Sequence, residues 1–200
     1  HDLDLAGKEA LIQLPVGALG DTIAWFSFVE RFQKKHDCKL FCSMAKEIAD
    51  LFRAQYPDIV FITKEEAVTL KPYATYNLGL FFGGDTDHQP FDFRQVGLHR
   101  TAGHILGLDD LSDIPPRVDL TAKRKIKEKY VVIAAQASSQ CKYWNHPSGW
   151  REVVAYLKSQ GYRVLCVDRT TEYGTDYTWN HIPYGAEDFT GDLPLQQRID

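Results

Sequence analysis

Glu9-Ala10-Leu11-Ile12-Gln13-Leu14-Pro15-Val16-Gly17-Ala18-Leu19-Gly20-Asp21-Thr22 is an apolar run that ends in a glycine turn and an acidic helix start. Glu9–Leu14 reads as a buried strand, because its apolar residues are nearly continuous. From Asp21 to Lys35, apolar residues recur at Ile23, Trp25, Phe26, Phe28, Val29 and Phe32, close to helical spacing. A strand, a tight turn and an amphipathic helix make the opening unit of an α/β sheet. The same order returns at Tyr130-Val131-Val132-Ile133-Ala134-Ala135, which is followed by a small-residue turn and a helix from about Ser148. Proteins built this way place their chemistry at the carboxyl ends of the strands.

Working outward, Lys39–Cys42 reads as a strand and Ala45–Gln55 as a helix with Ile48, Leu51 and Phe52 on one face. Asp58–Ile62 and Ala74–Phe82 read as strands, the second ending at Gly83-Gly84-Asp85. Arg94–Leu106 reads as one helix stopped by Gly107. This alternation predicts a doubly wound parallel sheet. Ile114-Pro115-Pro116 interrupts it, and the basic run 122–129 then reads as a solvated linker, its charges interrupted and without aromatic neighbours. The expected boundary falls near 120, dividing a domain over 1–120 from a second over 121–200. The second holds a strand over 130–135, a helix over 148–160 closed by Gly161, a strand Tyr162–Val167, a loop Thr170–Asn180 and the start of a helix at Leu193. It is too short for a complete nucleotide-binding domain. With no Met at position 1 and an end inside a helix, the chain reads as a fragment.

The bulk properties narrow the function. A net charge of −4 at pH 7 and a pI near 6.0 are not the footprint of a nucleic-acid or anionic-membrane binder. No apolar run approaches the ~20 residues of a membrane span, and residues 1–9 show no signal-peptide pattern. Cys38, Cys42, Cys141 and Cys166 are too scattered for a disulfide scaffold and lack the partners of a zinc site. A reducing cytoplasm is the plainer expectation.

Two stretches carry chemistry. In the first, Gly17 and Gly20 allow a tight turn and close backbone approach. The Gly-Lys-Ser/Thr ending of a phosphate loop and the third glycine of a dinucleotide fingerprint are both missing. Asp21 reads equally as a helix cap or as a carboxylate that accepts a proton from a hydroxyl. Thr22 reads as a donor to Asp21 or to a ligand, or as a plain first-turn residue. In the second stretch, Gln140-Cys141-Lys142-Tyr143-Trp144-Asn145-His146-Pro147-Ser148-Gly149-Trp150, Lys142 is a point charge that can reach a diphosphate. The helix start near Ser148 offers N–H groups to the same phosphates. Ser138, Ser139 and Gln140 suit phosphate or sugar but also suit any turn. Trp144 and Trp150 shape a site or simply pack. A base in one half and an anion clamp in the other describe an enzyme.

Gly20-Asp21, Lys142-Tyr143-Trp144, Pro147 and Trp150 together resemble the ADP-heptose glycosyltransferases of GT-B fold. The closer resemblance is to the branch that heptosylates bacterial autotransporter proteins, with His99-Arg100-Thr101-Ala102-Gly103 adding to it. The resemblance implies an inverting transfer of heptose from ADP-heptose to serine hydroxyls of an autotransporter adhesin. Asp21 would be the general base, and Lys142 would hold the diphosphate. Gly17, Gly20, Thr22, Ser138, Ser139, Gln140, Trp144 and Trp150 would bind or shape the donor. It implies the passenger protein as partner and a homo-oligomer in the full-length protein. It also implies no cofactor within this chain, with iron held by cysteines in a C-terminal extension. Two alternatives stand beside it: a lipopolysaccharide-core heptosyltransferase, and a non-catalytic nucleotide-binding or assembly module. Gly83-Gly84-Asp85, Asp87, His88, His99, Arg100 and Asp168-Arg169 are weaker candidates that border strand ends or sit on a helix face.

Overall fold

A computed structural model describes residues 3–15, 19–80, 92–119, 124–137, 139–175 and 178–199. The chain folds as two compact units, residues 1–119 and 120–200.

The first unit runs β1 (Glu9–Gln13), α1 (Leu19–His36), β2 (Lys39–Ser43), α2 (Lys46–Phe52), β3 (Ile59–Ile62), α3 (Lys64–Thr69), β4 (Ala74–Asn77), α4 (Phe93–Val96) and α5 (Arg100–Ile105). Its four strands are parallel, in the order β3-β2-β1-β4. Chain order and spatial order reverse at β1, which β2 flanks on one side and β4 on the other. That reversal is the switch point where open α/β sheets bind ligands, and the turn after β1 lies at it. Ala10, Leu11 and Ile12 are all buried, as a central strand covered on both faces requires. Helix α1 supplies Trp25, Phe26, Phe28, Val29 and Phe32 to the core. Phe26 stacks on Phe52 at 4.1 Å and meets Tyr56 edge-on at 4.9 Å. The helix ends in Lys34, Lys35 and His36, which complement its negative pole.

Three expectations for this unit change. The helix expected over 94–106 is two short helices, because Gly97 at φ +90° breaks the ladder between them. The strand expected over 74–82 ends at Asn77, and residues 81–91, with Gly83, Gly84, Asp85, Asp87 and His88, lie outside those described. Helix α3 goes beyond the sequence reading. It is nucleated by a capping box, in which Thr63 Oγ1 accepts from Glu66 N–H and the Glu66 carboxylate accepts from Thr63 N–H.

The second unit holds β5 (Tyr130–Ile133), a single 3-10 turn (Gln140–Lys142), α6 (Gly149–Ser159), β6 (Arg163–Cys166), β7 (Glu172–Thr175), β8 (Thr178–His181), β9 (Glu187–Asp188) and α7 (Leu195–Ile199). Strands β5, β6 and β9 form a parallel sheet in that order. Its small core is Ile133, Val154, Val164 and Cys166, with Val131, Trp150, Leu157, Ile182 and Ala186 packed against it. Gly161, at φ +80°, closes α6 while Tyr162 N–H reaches back to the Leu157 carbonyl. Arg163 forks onto Glu187 across β6 and β9 with contacts of 2.9 and 2.6 Å, which holds the Glu187 carboxyl below its ordinary range. The loop expected over 170–180 is instead the antiparallel hairpin β7–β8, in register Glu172 to His181. Its Tyr, Thr and Trp residues favour strands. No described helix is long and apolar enough to cross a membrane.

Candidate functional site

On the first unit, α1 begins two residues before Asp21, so Asp21 is a first-turn residue and not the residue before the helix. The cap reading of Asp21 therefore gives way. A carboxylate in a first turn faces the positive helix pole and spare N–H groups. Asp21 is half-buried, and no described residue hydrogen-bonds its carboxylate. Thr22 behaves otherwise. It is fully buried, and its hydroxyl donates to the Pro15 carbonyl at 3.5 Å. Thr22 thus ties the turn to the helix, its hydroxyl directed at Pro15 rather than at Asp21. Gly17 lies outside the described residues. Gly20 lines a cavity of about 350 Å³ with Ile23, Ala24 and Ser27 of α1, with His99 and Asp113, and with the Ile114-Pro115-Pro116 segment. His99 Nε2 contacts the Asp113 carboxylate, and Arg100 Nε lies 4.0 Å from the same oxygen.

On the second unit, a cavity of about 640 Å³ opens past the carboxyl ends of β5 and β6. Its lining includes Gln136, Ala137, Asp168, Arg169, Thr170, Tyr173 and Asp192. Asp168 organises this place. Its buried carboxylate accepts the N–H groups of Ala135 at 2.8 Å and Gln136 at 3.1 Å, fixing the turn after β5 to the end of β6. The Gln136 amide and Thr170 are joined twice, by Nε2–H to the Thr170 carbonyl and by the Thr170 hydroxyl to Oε1. Arg169 pairs with Asp192 at 3.3 Å. Arg198 of α7 donates to the carbonyls of Asp168 and Gly191, bracing the same loops.

Lys142 is exposed at the end of the 3-10 turn, where its N–H reaches the Ser139 carbonyl at 3.0 Å. Ser139 Oγ lies 2.9 Å from Cys141 Sγ. Ser138 and the Gln140 side chain lie outside what is described. Trp144 and Trp150 meet edge to face at 5.3 Å, but they differ in role. Trp150 packs on the core, whereas Trp144 is 48% exposed and rests on Gly149. A β-carbon at 149 would stand 2.6 Å from the Trp144 ring. Gly149→Ala is therefore expected to swing Trp144 off Trp150, read as a shift in tryptophan fluorescence. Unfolding free energy should move by less than about 1 kcal/mol, because an exposed ring can yield. Ser148 precedes α6 without a side-chain cap, its hydroxyl being engaged by Glu152. The first-turn N–H groups of α6 are thus left without a side-chain acceptor from Ser148.

The sequence reading passed over Gln136, Thr170, Tyr173 and Asp192. The first could have been found from its place just after a strand, and Tyr173 from the strand propensity around it.

All four cysteines are free. Burial pushes the Cys166 thiol up to about 11 and the Cys42 thiol higher still. Only Cys141 is exposed. One thiol is expected to react rapidly with a disulfide reagent at pH 8 in the native protein, and four after denaturation. Because Cys166 titrates higher folded than unfolded, the stability it contributes is intact below its unfolded value near 9. It is lost as pH rises through about 11.

No protein-family model matches the chain. It is 56% identical over 197 residues to the autotransporter heptosyltransferase BAHTCr of Citrobacter rodentium, and 55% identical over 197 residues to TibC of Escherichia coli O78:H11. Each match covers 98% of the chain and 48% of the relative. BimC of Burkholderia thailandensis, named an inactive autotransporter heptosyltransferase, is 43% identical over 170 residues, covering 84% of the chain and 40% of BimC. The chain spans about half the length of the curated relatives it matches. The crystal structure of TibC, an iron-containing dodecameric glycosyltransferase, superposes with a TM-score of 0.93 over 98% of the chain and 51% of TibC. TibC has also been solved with ADP-D-beta-D-heptose. A family 9 glycosyl transferase from Veillonella parvula, 13% identical, shares the fold at a TM-score of 0.55, over 83% of the chain and 64% of its own. The fold is α/β and GT-B-like. Among the described residues no three of His, Cys, Asp and Glu converge as a metal site. Over about half their length, this chain is related to the autotransporter heptosyltransferases.

Proposed function

We propose that the protein carrying this chain is an inverting glycosyltransferase that moves heptose from ADP-heptose to serine hydroxyls of an autotransporter adhesin. The observation that carries this reading is the half-buried Asp21 carboxylate at the switch point of the first sheet, in a chain 55–56% identical to autotransporter heptosyltransferases.

In this reading the first unit is the acceptor side, and the second is the opening part of a nucleotide-sugar domain. Asp21 takes the serine proton as the hydroxyl oxygen bonds to the anomeric carbon. The bond from that carbon to the diphosphate oxygen breaks, and ADP leaves from the opposite face with the electron pair. Lys142 and the first-turn N–H groups of α6 stabilise the charge that gathers on the leaving diphosphate. The cavity beside Asp168 takes part of the donor, and Ser138, Ser139 and Gln140 supply hydrogen bonds to phosphate or sugar. Gly17 and Gly20 let the backbone approach, and Trp144 covers the donor. Thr22 and Trp150 serve by holding the turn and the helix in place. Assembly into a homo-oligomer and the use of iron are carried over from TibC, whose structure is dodecameric and iron-containing. Four free cysteines suit a reducing bacterial cytoplasm.

Lys142→Ala is expected to lower the transfer rate about 10²-fold, since one lost donor to a developing anion has that effect. Single-turnover kinetics at saturating ADP-heptose check it. The test of the function is the intact mass of an autotransporter passenger co-expressed with the intact protein. Increments of whole heptose units support the reading. No increment, with glycosylated lipopolysaccharide core instead, moves the acceptor to lipid. The name of BimC as inactive favours a second reading, a non-catalytic module, which ADP binding without any transfer would establish.

A further inference from the structure

His99 is held from several sides by separate parts of the first unit. Gly97 approaches so closely that a β-carbon there would stand 2.8 Å from imidazole Cε1. Phe28 lies nearly parallel to the ring, 16° off, at 6.3 Å between centroids. Trp25 Nε1–H donates to the Leu98 carbonyl at 3.0 Å and ties this turn to α1. Imidazole Nε2 then meets the Asp113 carboxylate. The loop bearing Asp113 is fixed in turn, because the Arg31 guanidinium donates to the carbonyls of Asp110 at 3.1 Å and Ser112 at 2.8 Å. Second-order support of this kind preorganises a binding group. Here the group is a carboxylate that is 62% exposed and borders the cavity of about 350 Å³.

The α1 residues of that cavity include Gly20, Ala24 and Ser27, small side chains that let another backbone come close. Ile114, 57% exposed, and Pro115 add apolar surface. The volume is near the lower end of the ~300–1,000 Å³ range for small-molecule sites, which suits a few peptide residues better than a nucleotide sugar. Gly20 both lines this cavity and directly precedes Asp21.

We propose that this cavity is the subsite for the acceptor polypeptide beside the reacting serine, an inference that rests on the glycosyltransferase reading above. An extended chain advances about 3.3 Å per residue, so a serine held at Asp21 brings its immediate neighbours into the cavity. Their backbone N–H groups donate to Asp113, and an apolar side chain packs on Ile114 and Pro115. His99 is a positioning residue that aims the Asp113 carboxylate.

The experiment uses the intact protein, ADP-heptose and a purified, unglycosylated autotransporter passenger domain. Ser27→Leu fills the cavity from α1, and Asp113→Asn weakens the acceptor group with little change of shape. Each variant is expected to raise the KM for passenger about 10-fold or more while the KM for ADP-heptose stays within about twofold. An unchanged passenger KM in both variants, with normal transfer by the wild type, overturns the subsite and leaves the glycosyltransferase reading standing. No transfer by the wild type overturns that reading and the subsite together. Thermal unfolding of both variants separates a lost fold from a lost contact.

Discussion

Asp21→Asn is expected to cut the rate of heptose transfer by about 10²–10⁴-fold while ADP-heptose binding is retained. The lower figure is the least that loss of a positioned general base removes. The substitution keeps the shape of the side chain and deletes only the ability to take a proton. No described residue hydrogen-bonds the carboxylate, so its loss strands no donor among the described residues. The remaining structural effect is the weaker match to the helix pole, about 0.3–1 kcal/mol. The check is kcat measured at saturating ADP-heptose and passenger, with donor affinity measured separately by calorimetry. Transfer within threefold of wild type would remove Asp21 as the base. Loss of donor binding in step with activity would make it a binding residue instead.

Phe26→Ala is expected to destabilise the first unit by about 3–5 kcal/mol, the usual cost of deleting a buried phenylalanine. Phe26 is 0% exposed and lies among three aromatic rings, those of Phe52, Tyr56 and Phe61. These neighbours come from α2, β3 and the turn between them, while Phe26 comes from α1. Rigid rings from different elements cannot easily close the space, so a cavity term adds to the lost transfer energy. Domains are stable by only about 5–15 kcal/mol, so the change takes up a large part of that margin. Denaturant unfolding followed by fluorescence should show the shift, with Val68→Ala as control. Val68 is 81% exposed, and its substitution should stay within about 0.5 kcal/mol. A Phe26 variant as stable as that control would mean that the core repacks around the gap.

Much of this architecture was legible because its signals are local. The run Ala10-Leu11-Ile12 is apolar on successive residues, and in the fold it is an inner strand paired on both edges. The spacing Trp25, Phe26, Phe28, Val29, Phe32 marks a helix face and is buried as one. Other features depend on energies that composition does not display. Gly97 was hidden inside a plausible helical pattern, and in the fold it takes φ +90° with His99 packed close against it. The β7–β8 hairpin carries strand-favouring Tyr, Thr and Trp residues, but they lie in a segment polar enough to read as loop, and the pairing of Glu172 with His181 is not a local signal. At the site, Asp21 and Lys142 could be singled out from their places after strands. Thr22 could not be assigned that way, since its hydroxyl is consumed by a carbonyl seven residues earlier. Asp168 and Asp192 meet one cavity from separate loops, a proximity that spacing along the chain does not encode.

The strand order of the first sheet has a consequence for synthesis. β1 is made first, but Ala10 must wait for Ala74 before its second edge is paired. α1, β2, α2, β3 and α3 all leave the ribosome in between, a matter of several seconds at about 5–20 residues per second. During that interval a strand with three buried-type residues and one open edge is a sticky nascent segment. A chaperone that shields extended apolar peptides would therefore meet this unit before its sheet is complete, and translation pauses before residue 74 would lengthen its exposure to aggregation.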